Sequence, residues 1–343
     1  MPTKILFTKK LLPKKKVSSK NIQKDVLKKK VGGGVNKITD LINIIKNNTN
    51  NNKLLISNID NLNINIKDDY GKTALMYAVD YENKEVVELL LKKNADVNIE
   101  DNYGDNALMY SINNLNENEE IVKLLIENGA DINNKNHPLI SALLSEKINV
   151  AKLLINNNNA KLDMQDNSGK TALMYAINYE NKELVELLLK KGVNINIRDY
   201  EFGQTALMNA VISNNIKLVE LLVNNGVDLN IKDNNGETAL IHAIKKQISI
   251  EKDIMKHDEK KLLENLKIEN QKVKKNIEGI LIINNNRIIK RDNNLKIINL
   301  LIEKSNLKIK VANKNSIEYI SNLCEKNKLF YKINILKKLR EKK

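Results

Sequence analysis

The feature that most constrains this chain is that it nearly duplicates itself. Asp69-Tyr-Gly-Lys-Thr-Ala-Leu-Met-Tyr-Ala78 returns as Asn167-Ser-Gly-Lys-Thr-Ala-Leu-Met-Tyr-Ala176. Its continuation, Tyr81-Glu-Asn-Lys-Glu-Val-Val-Glu-Leu-Leu-Leu-Lys-Lys93, returns as Tyr179-Glu-Asn-Lys-Glu-Leu-Val-Glu-Leu-Leu-Leu-Lys-Lys191. The separation (176 − 78) is 98 residues, close to three periods of 33. Intervening units show at Gly104, 33 residues after Gly71, and, eroded, at His137-Pro-Leu139. Further units open at Asp199 and Asp233, with Thr205-Ala-Leu207 and Thr238-Ala-Leu240 again 33 apart. A period of this size predicts stacked supersecondary units, each burying its apolar face only against its neighbours. With Gly at 12 and Pro at 3, the turns that a β-sandwich or barrel needs are missing.

Each unit reads physically. Asp-x-x-Gly is a turn, because Asp bonds its own backbone and Gly supplies a positive φ. Thr73, Thr171, Thr205 and Thr238 stand where a helix begins, with Leu, Met and Ala following at helical spacing. After a polar break comes a second helix such as 84–93, apolar at Val86, Val87, Leu89, Leu90 and Leu91. It stops at Gly129, Gly192 or Gly226, where glycine can turn left-handed. Ala95-Asp-Val-Asn98 and Ala130-Asp-Ile-Asn133 lead into the next turn.

A 33-residue turn–helix–helix unit with this Thr-x-Leu-x-x-Ala opening resembles the ankyrin repeat, over about residues 35–330. The resemblance implies an all-α ankyrin-repeat solenoid. One departure is consistent: Met76, Met109, Met174 and Met208 (and Ile241) stand in the family's histidine place. A flexible apolar packer is expected there instead of a hydrogen-bonding ring. Asn occurs 58 times, and the Thr-Ala-Leu-Met-Tyr-Ala repeats are similar to the expanded ankyrin families of large DNA viruses of amoebae. That resemblance implies a viral host-interaction role; an A+T-rich protist or bacterium remains the alternative source.

The period sets expected boundaries. A basic tail covers 1–34, a divergent first unit 35–67, and full units 68–100, 101–135, 136–165, 166–198 and 199–232. The 101–135 unit carries two extra residues near Asn116, and the 136–165 unit has lost most of its turn. A last unit, 233–312, is interrupted by an insertion at about 248–293. Met255, Leu262, Leu266, Val273, Ile277 and Leu281 give that insertion an amphipathic helical pattern. It is either a partner-binding arm or a tolerated surface insertion. Residues 313–343 read as a basic helical cap.

Net charge is +15, but it is segregated. Residues 1–34 hold eleven Lys against Asp25, giving +10; residues 35–244 hold 20 basic and 29 acidic groups, giving −9; residues 245–343 hold 26 and 12, giving +14. With the middle acidic and the flanks basic, the whole-chain pI near 9.4 is poor evidence for a nucleic-acid-binding fold. Contact of the basic flanks with nucleic acid or an anionic surface would be non-specific, since interleaved aromatics and Arg are lacking. No apolar run approaches a transmembrane helix, and no secretory signal is expected. One cysteine, Cys324, fits a reducing compartment, so an intracellular, cytoplasmic location is expected. Lys9-Lys10, Lys14-Lys-Lys16 and Lys28-Lys-Lys30 are similar to a bipartite import signal, which leaves the nucleus open beside a merely solvating tail.

No catalytic constellation stands out, and neither catalysis nor a cofactor is expected. Gly32-Gly-Gly34 lacks the Lys-Ser/Thr of a phosphate loop. His137, His242 and His257 are too few and too scattered for a zinc site. His137 falls in the threonine place, to cap or to pack, and His242 in the place of Tyr77 and Tyr175. The expected function is binding of another protein by a monomer. The family resemblance places the binding face on the turn tips and the exposed end of the first helix. Carried onto this chain, that face is Tyr70, Lys72, Tyr103, Asp105, Ser168, Lys170, Tyr200, Phe202 and Gln204 from the turns, and Tyr81, Asn113, Asn114, Tyr179 and Ile212 from the helices. Six of the chain's thirteen Tyr and Phe lie in this set, and aromatics are enriched at binding hot spots.

Overall fold

A computed structural model describes residues 63–250 together with 42, 45, 293, 296–298, 300 and 301. The basic tail, most of the 35–67 unit, the bulk of the insertion, the 313–343 cap, His257 and Cys324 lie outside the described residues. The chain parts into two compact units, Met1–Tyr103 and Gly104–Lys343.

Helices come in short–long pairs. In the first unit α1 (Ala74–Asp80) is followed by α2 (Lys84–Lys92). In the second, the pairs are α3 (Ala107–Asn113) and α4 (Glu119–Glu127), α5 (Pro138–Leu144) and α6 (Ile148–Asn156), α7 (Ala172–Asn178) and α8 (Lys182–Lys190), α9 (Ala206–Ile212) and α10 (Ile216–Asn224). A further helix covers 239–250, and the described residues from 293 to 301 are also helical. Among the described residues the one β feature is an isolated bridge between Arg198 and Thr205. This is the all-α repeat architecture that the period implies.

Local chemistry sets each helix start. Thr73, Asn106, Thr171 and Thr205 accept a hydrogen bond from the amide three residues on. The second helices α2, α4, α8 and α10 are capped alike by Asn83, Asn118, Asn181 and Asn215. The methionine at the family's histidine place does more than pack. The Thr73 amide donates to Met76 Sδ at 3.4 Å, so the sulfur closes a reciprocal cap. Gly129, Gly192 and Gly226 end their helices at φ of +87°, +78° and +80°.

The core follows from stacking. In the second unit α3 packs on α5, α5 on α7 and α7 on α9, while the outer helices α4, α6, α8 and α10 pack in the same succession. Leu90, Leu125, Leu154, Leu188 and Leu222, one from each second helix, are all buried. Ile297, Ile298 and Leu301, beyond the insertion, are buried as well.

Candidate functional site

Except at Asn134, each turn is built around one carboxylate. Asp68 Oδ1 accepts the amides of Tyr70 (2.9 Å) and Lys72 (2.8 Å), and Oδ2 accepts the Tyr77 hydroxyl at 2.6 Å. Asp166 repeats this with Ser168 (2.9 Å), Lys170 (3.0 Å) and Tyr175 (2.6 Å). Burial, followed by the carboxylate, pushes the Tyr77 and Tyr175 hydroxyls up, so both stay protonated donors. Burial also acts to raise Asp166, but the Tyr175 and Ser168 hydroxyls and the backbone amides outweigh it, holding the carboxyl below its usual range.

Successive turns are then laced together. In the first unit the Asn102 amide donates to Tyr70 O at 3.1 Å, and Asn102 Nδ2 to Asp69 O at 3.0 Å. In the second, the Tyr200 amide donates to Ser168 O (2.9 Å) and the Asn234 amide to Phe202 O (2.9 Å). The turn at Asp199 has one extra residue, and Asp199 Oδ1 accepts the Phe202 and Gly203 amides. Arg198 Nε donates to Gly203 O and its guanidinium to Asn234 Oδ1. Tyr200 and Phe202 are therefore held through their own backbones, the Tyr200 hydroxyl also donates to Gln165 Oε1 at 3.4 Å, and both side chains stay exposed.

The fourteen expected face residues divide into two sets within these turns and helices. Tyr70, Tyr103, Tyr200 and Phe202 sit on turn tips and are 64%, 78%, 65% and 49% exposed. Tyr81 and Tyr179 are the C-caps of α1 and α7, Asn114 is the C-cap of α3, and Asn113 and Ile212 are the last residues of α3 and α9. A seven-residue helix separates this second set from its own turn by roughly 10 Å. Tyr179 lines an open groove of about 300 Å³ with Leu143, Ile148 and Ala176.

Several polar members of the expected face are committed elsewhere. Asp105 accepts from Asn136 Nδ2 at 2.8 Å, and the Ser168 hydroxyl donates to Asp166 at 2.7 Å. Lys72 lies with its ammonium 5.4 Å from the centre of the Tyr77 ring. Asn114 Oδ1 accepts the Leu115 amide. Lys170 and Gln204 are half-buried. The aromatic tips combine hydrogen-bonded turn backbones with exposed side chains.

The residues missed in the sequence are structural supports. Lys147 takes the place of a capping Asn, yet its ammonium donates to Ser111 O (3.3 Å) and Asn116 O (2.8 Å) in the preceding repeat. Glu117, from the lengthened 114–118 loop, accepts the Asn149 and Val150 amides at 2.8 and 3.2 Å and caps α6 across the repeat boundary. The signal available was the break in the Asn pattern next to a two-residue insertion. His137 does not cap: it precedes α5 with no side-chain bond, and its Nδ1 is buried without a partner.

A turn anchored by one carboxylate, a capped short helix and a capped longer helix, repeated, define a class: helical repeat proteins that present turns laterally. The family model described as ankyrin repeats in three copies matches residues 9–101, 41–136, 108–199 and 198–265, and the chain belongs to the ankyrin repeat family. It is 30% identical over 138 residues to an ankyrin repeat protein of Acanthamoeba polyphaga mimivirus. That alignment takes in 40% of this chain and 14% of the viral protein, so the chain spans a small part of the length of the curated relative it matches. Among solved structures it is similar to the ankyrin repeat domain of Bcl-3, a member of the IkappaB family, with 23% identity, 61% of this chain and 94% of that one covered, and a TM-score of 0.52. An ankyrin repeat domain from Acinetobacter baumannii matches at 29% identity over 51% of this chain and 91% of its own, with a TM-score of 0.45. Ankyrin repeat domains commonly mediate protein–protein interaction, and the fold is typically non-catalytic. Among the described residues no helix is long and apolar enough to cross a membrane.

Proposed function

We propose that this chain is a non-catalytic interaction protein that binds a partner protein through the aromatic tips of its turns. The observation that carries the reading is Tyr200 and Phe202: two exposed rings on a turn whose backbone is bonded to the turn on either side. Rings fixed in advance lose little freedom on binding, which is what makes an aromatic an effective anchor. Charge on the flanks then acts mainly on association rate.

The test is quantitative capture of binding proteins from native cells by the full chain and two variants. Tyr200→Ala with Phe202→Ala is expected to weaken the captured partner by about 2 kcal/mol or more, with helicity unchanged. Removing residues 1–34 is expected to alter salt dependence more than affinity. The segregated charge, +10 on that tail, supports the competing reading of a tether to nucleic acid or an anionic surface. If deleting the tail abolishes capture at physiological salt while the aromatic pair is silent, the tether replaces the repeat face.

A further inference from the structure

Three turns use the same device, and the third is chemically different. Asp68 holds Tyr77, Asp166 holds Tyr175, and Asp233 Oδ2 holds His242 Nε2 at 2.8 Å. The backbone is unchanged: Asp233 Oδ1 accepts the amides of Asn235 and Glu237, each at 2.9 Å, and Gly236 takes φ +76°. Two side chains depart from the pattern. The residue after the turn glycine is Lys72 or Lys170 in the first two turns and Glu237 here; the residue nine beyond the Asp is Tyr in the first two and His here. Both replacements bring in a metal-ligating group. One ligand atom from each of Asp233, Glu237 and His242 lies within 4.8 Å of the others.

Two carboxylates, one imidazole and one ammonium meet at this turn. The Asp233 side chain is 1% exposed and that of Glu237 12%. Asp233 is held by the Asn235 and Glu237 amides and by His242. The Lys245 ammonium meets Glu237, but its side chain is 43% exposed on a flexible stem.

We propose that Asp233, Glu237 and His242 form a binding site for a divalent transition-metal ion of the zinc class. Imidazole with carboxylates is a zinc-compatible donor set, at bond lengths of about 2.0–2.2 Å. Ligand atoms around such a tetrahedral ion stand roughly 3.3 Å apart. Asp233 Oδ2 and His242 Nε2 stand 2.8 Å apart and all three ligand atoms lie within 4.8 Å of one another, a spread that includes that spacing. The two amides on Oδ1 fix the Asp233 carboxylate and leave Oδ2 to ligate. Water completes the shell. The ion takes Lys245's place on Glu237 and clamps the turn onto the 239–250 helix, which leads into the insertion.

The experiment is titration of the chelator-treated full chain with cobalt(II), read by visible absorption, and with zinc(II), read by calorimetry. One equivalent is expected, with zinc displacing cobalt. His242→Tyr and Glu237→Lys each restore the residue of the sibling turns, so helicity should be retained in both. Each is expected to lower affinity by about 100-fold or more, since losing even a supporting partner of a ligand costs about 10–100-fold. Lys245→Gln removes the competing ammonium and is expected to tighten binding. The proposal is overturned by the absence of a saturable cobalt spectrum. It is equally overturned by a spectrum that His242→Tyr leaves unchanged, which would put the ion on other histidines, or by a Lys245→Gln variant that binds more weakly.

Discussion

The repeat that opens at Asp166 and the one that opens at Asn134 reach the same fold with different parts. The first is regular: the Asp166 carboxylate gathers two amides and the Tyr175 hydroxyl, Gly169 makes the turn at φ +78°, and Thr171 and Asn181 cap its two helices. The second has lost two residues of its turn: α7 starts six residues after Asp166 (172 − 166) and α5 four after Asn134 (138 − 134). An amide side chain, Asn134, replaces the carboxylate and accepts only the Asn136 amide. His137 is forced to do the work of both glycine and threonine, at φ +52° and without a cap. Ser141, in the place of Tyr175, bonds Asn136 O instead of the turn's anchor. The α6 cap comes from Glu117, in the neighbouring repeat. A repeat can thus shed its own supports where stacking lets the next unit supply them.

The largest expected effect sharpens this contrast at the turn position itself. Gly169→Ala places a Cβ against the Tyr200 backbone and ring at a positive φ. It should cost about 2–3 kcal/mol in urea unfolding. His137→Gly, at the matching place, should instead stabilise by about 1 kcal/mol, because it relieves a left-handed non-glycine residue and a buried orphan nitrogen. Equal signs at the two positions would break the comparison.

A pH dependence should separate the two turns next. The Asp166 carboxyl is depressed in the folded state, so its stabilisation is present above the unfolded value of about 3.9 and lost as pH falls through the lower folded value. Asn134 does not titrate. Thermal unfolding followed downward from about pH 6 through the ordinary carboxylate range near ~4 should show Asp166→Asn flattening the acid-side loss. An unchanged acid profile would mean the turn carboxylate is not a source of stability.

The smallest effect tests the borrowed cap. Glu117→Ala should cost about 1 kcal/mol, the usual worth of a cap, although Glu117 lies outside α6's own repeat. Asn181→Ala, which removes a cap within its own repeat, should cost a similar amount. Hydrogen exchange should place the Glu117→Ala loss at the amides of Asn149 and Val150. Protection unchanged there would return α6 to the status of an uncapped helix.

Much of this was legible because it is short-range. Glycine at the turn, threonine at the first-helix start and paired leucines in the second helix all act over three or four residues, and the structure places them as the period requires. The aromatic tips were legible through register alone. Asp105 and Ser168 were expected on the binding face, and their bonds to Asn136 and Asp166 become visible only once turns are folded and stacked. Met76 was read as a pure packer, because its sulfur meets the Thr73 amide only in cap geometry.

The sequence by itself determined the period, the helix pairs and the family, since hydrophobic spacing and capping residues act within one unit. Tertiary structure alone decided which polar side chains serve the neighbouring repeat and which serve their own. Residues 31–36 apart, such as Lys147 with Ser111, Asn136 with Asp105 and Arg198 with Asn234, meet only through stacking. It also decided that Asp233, Glu237 and His242 converge, because a turn must fold back onto its following helix before three unremarkable positions share one point.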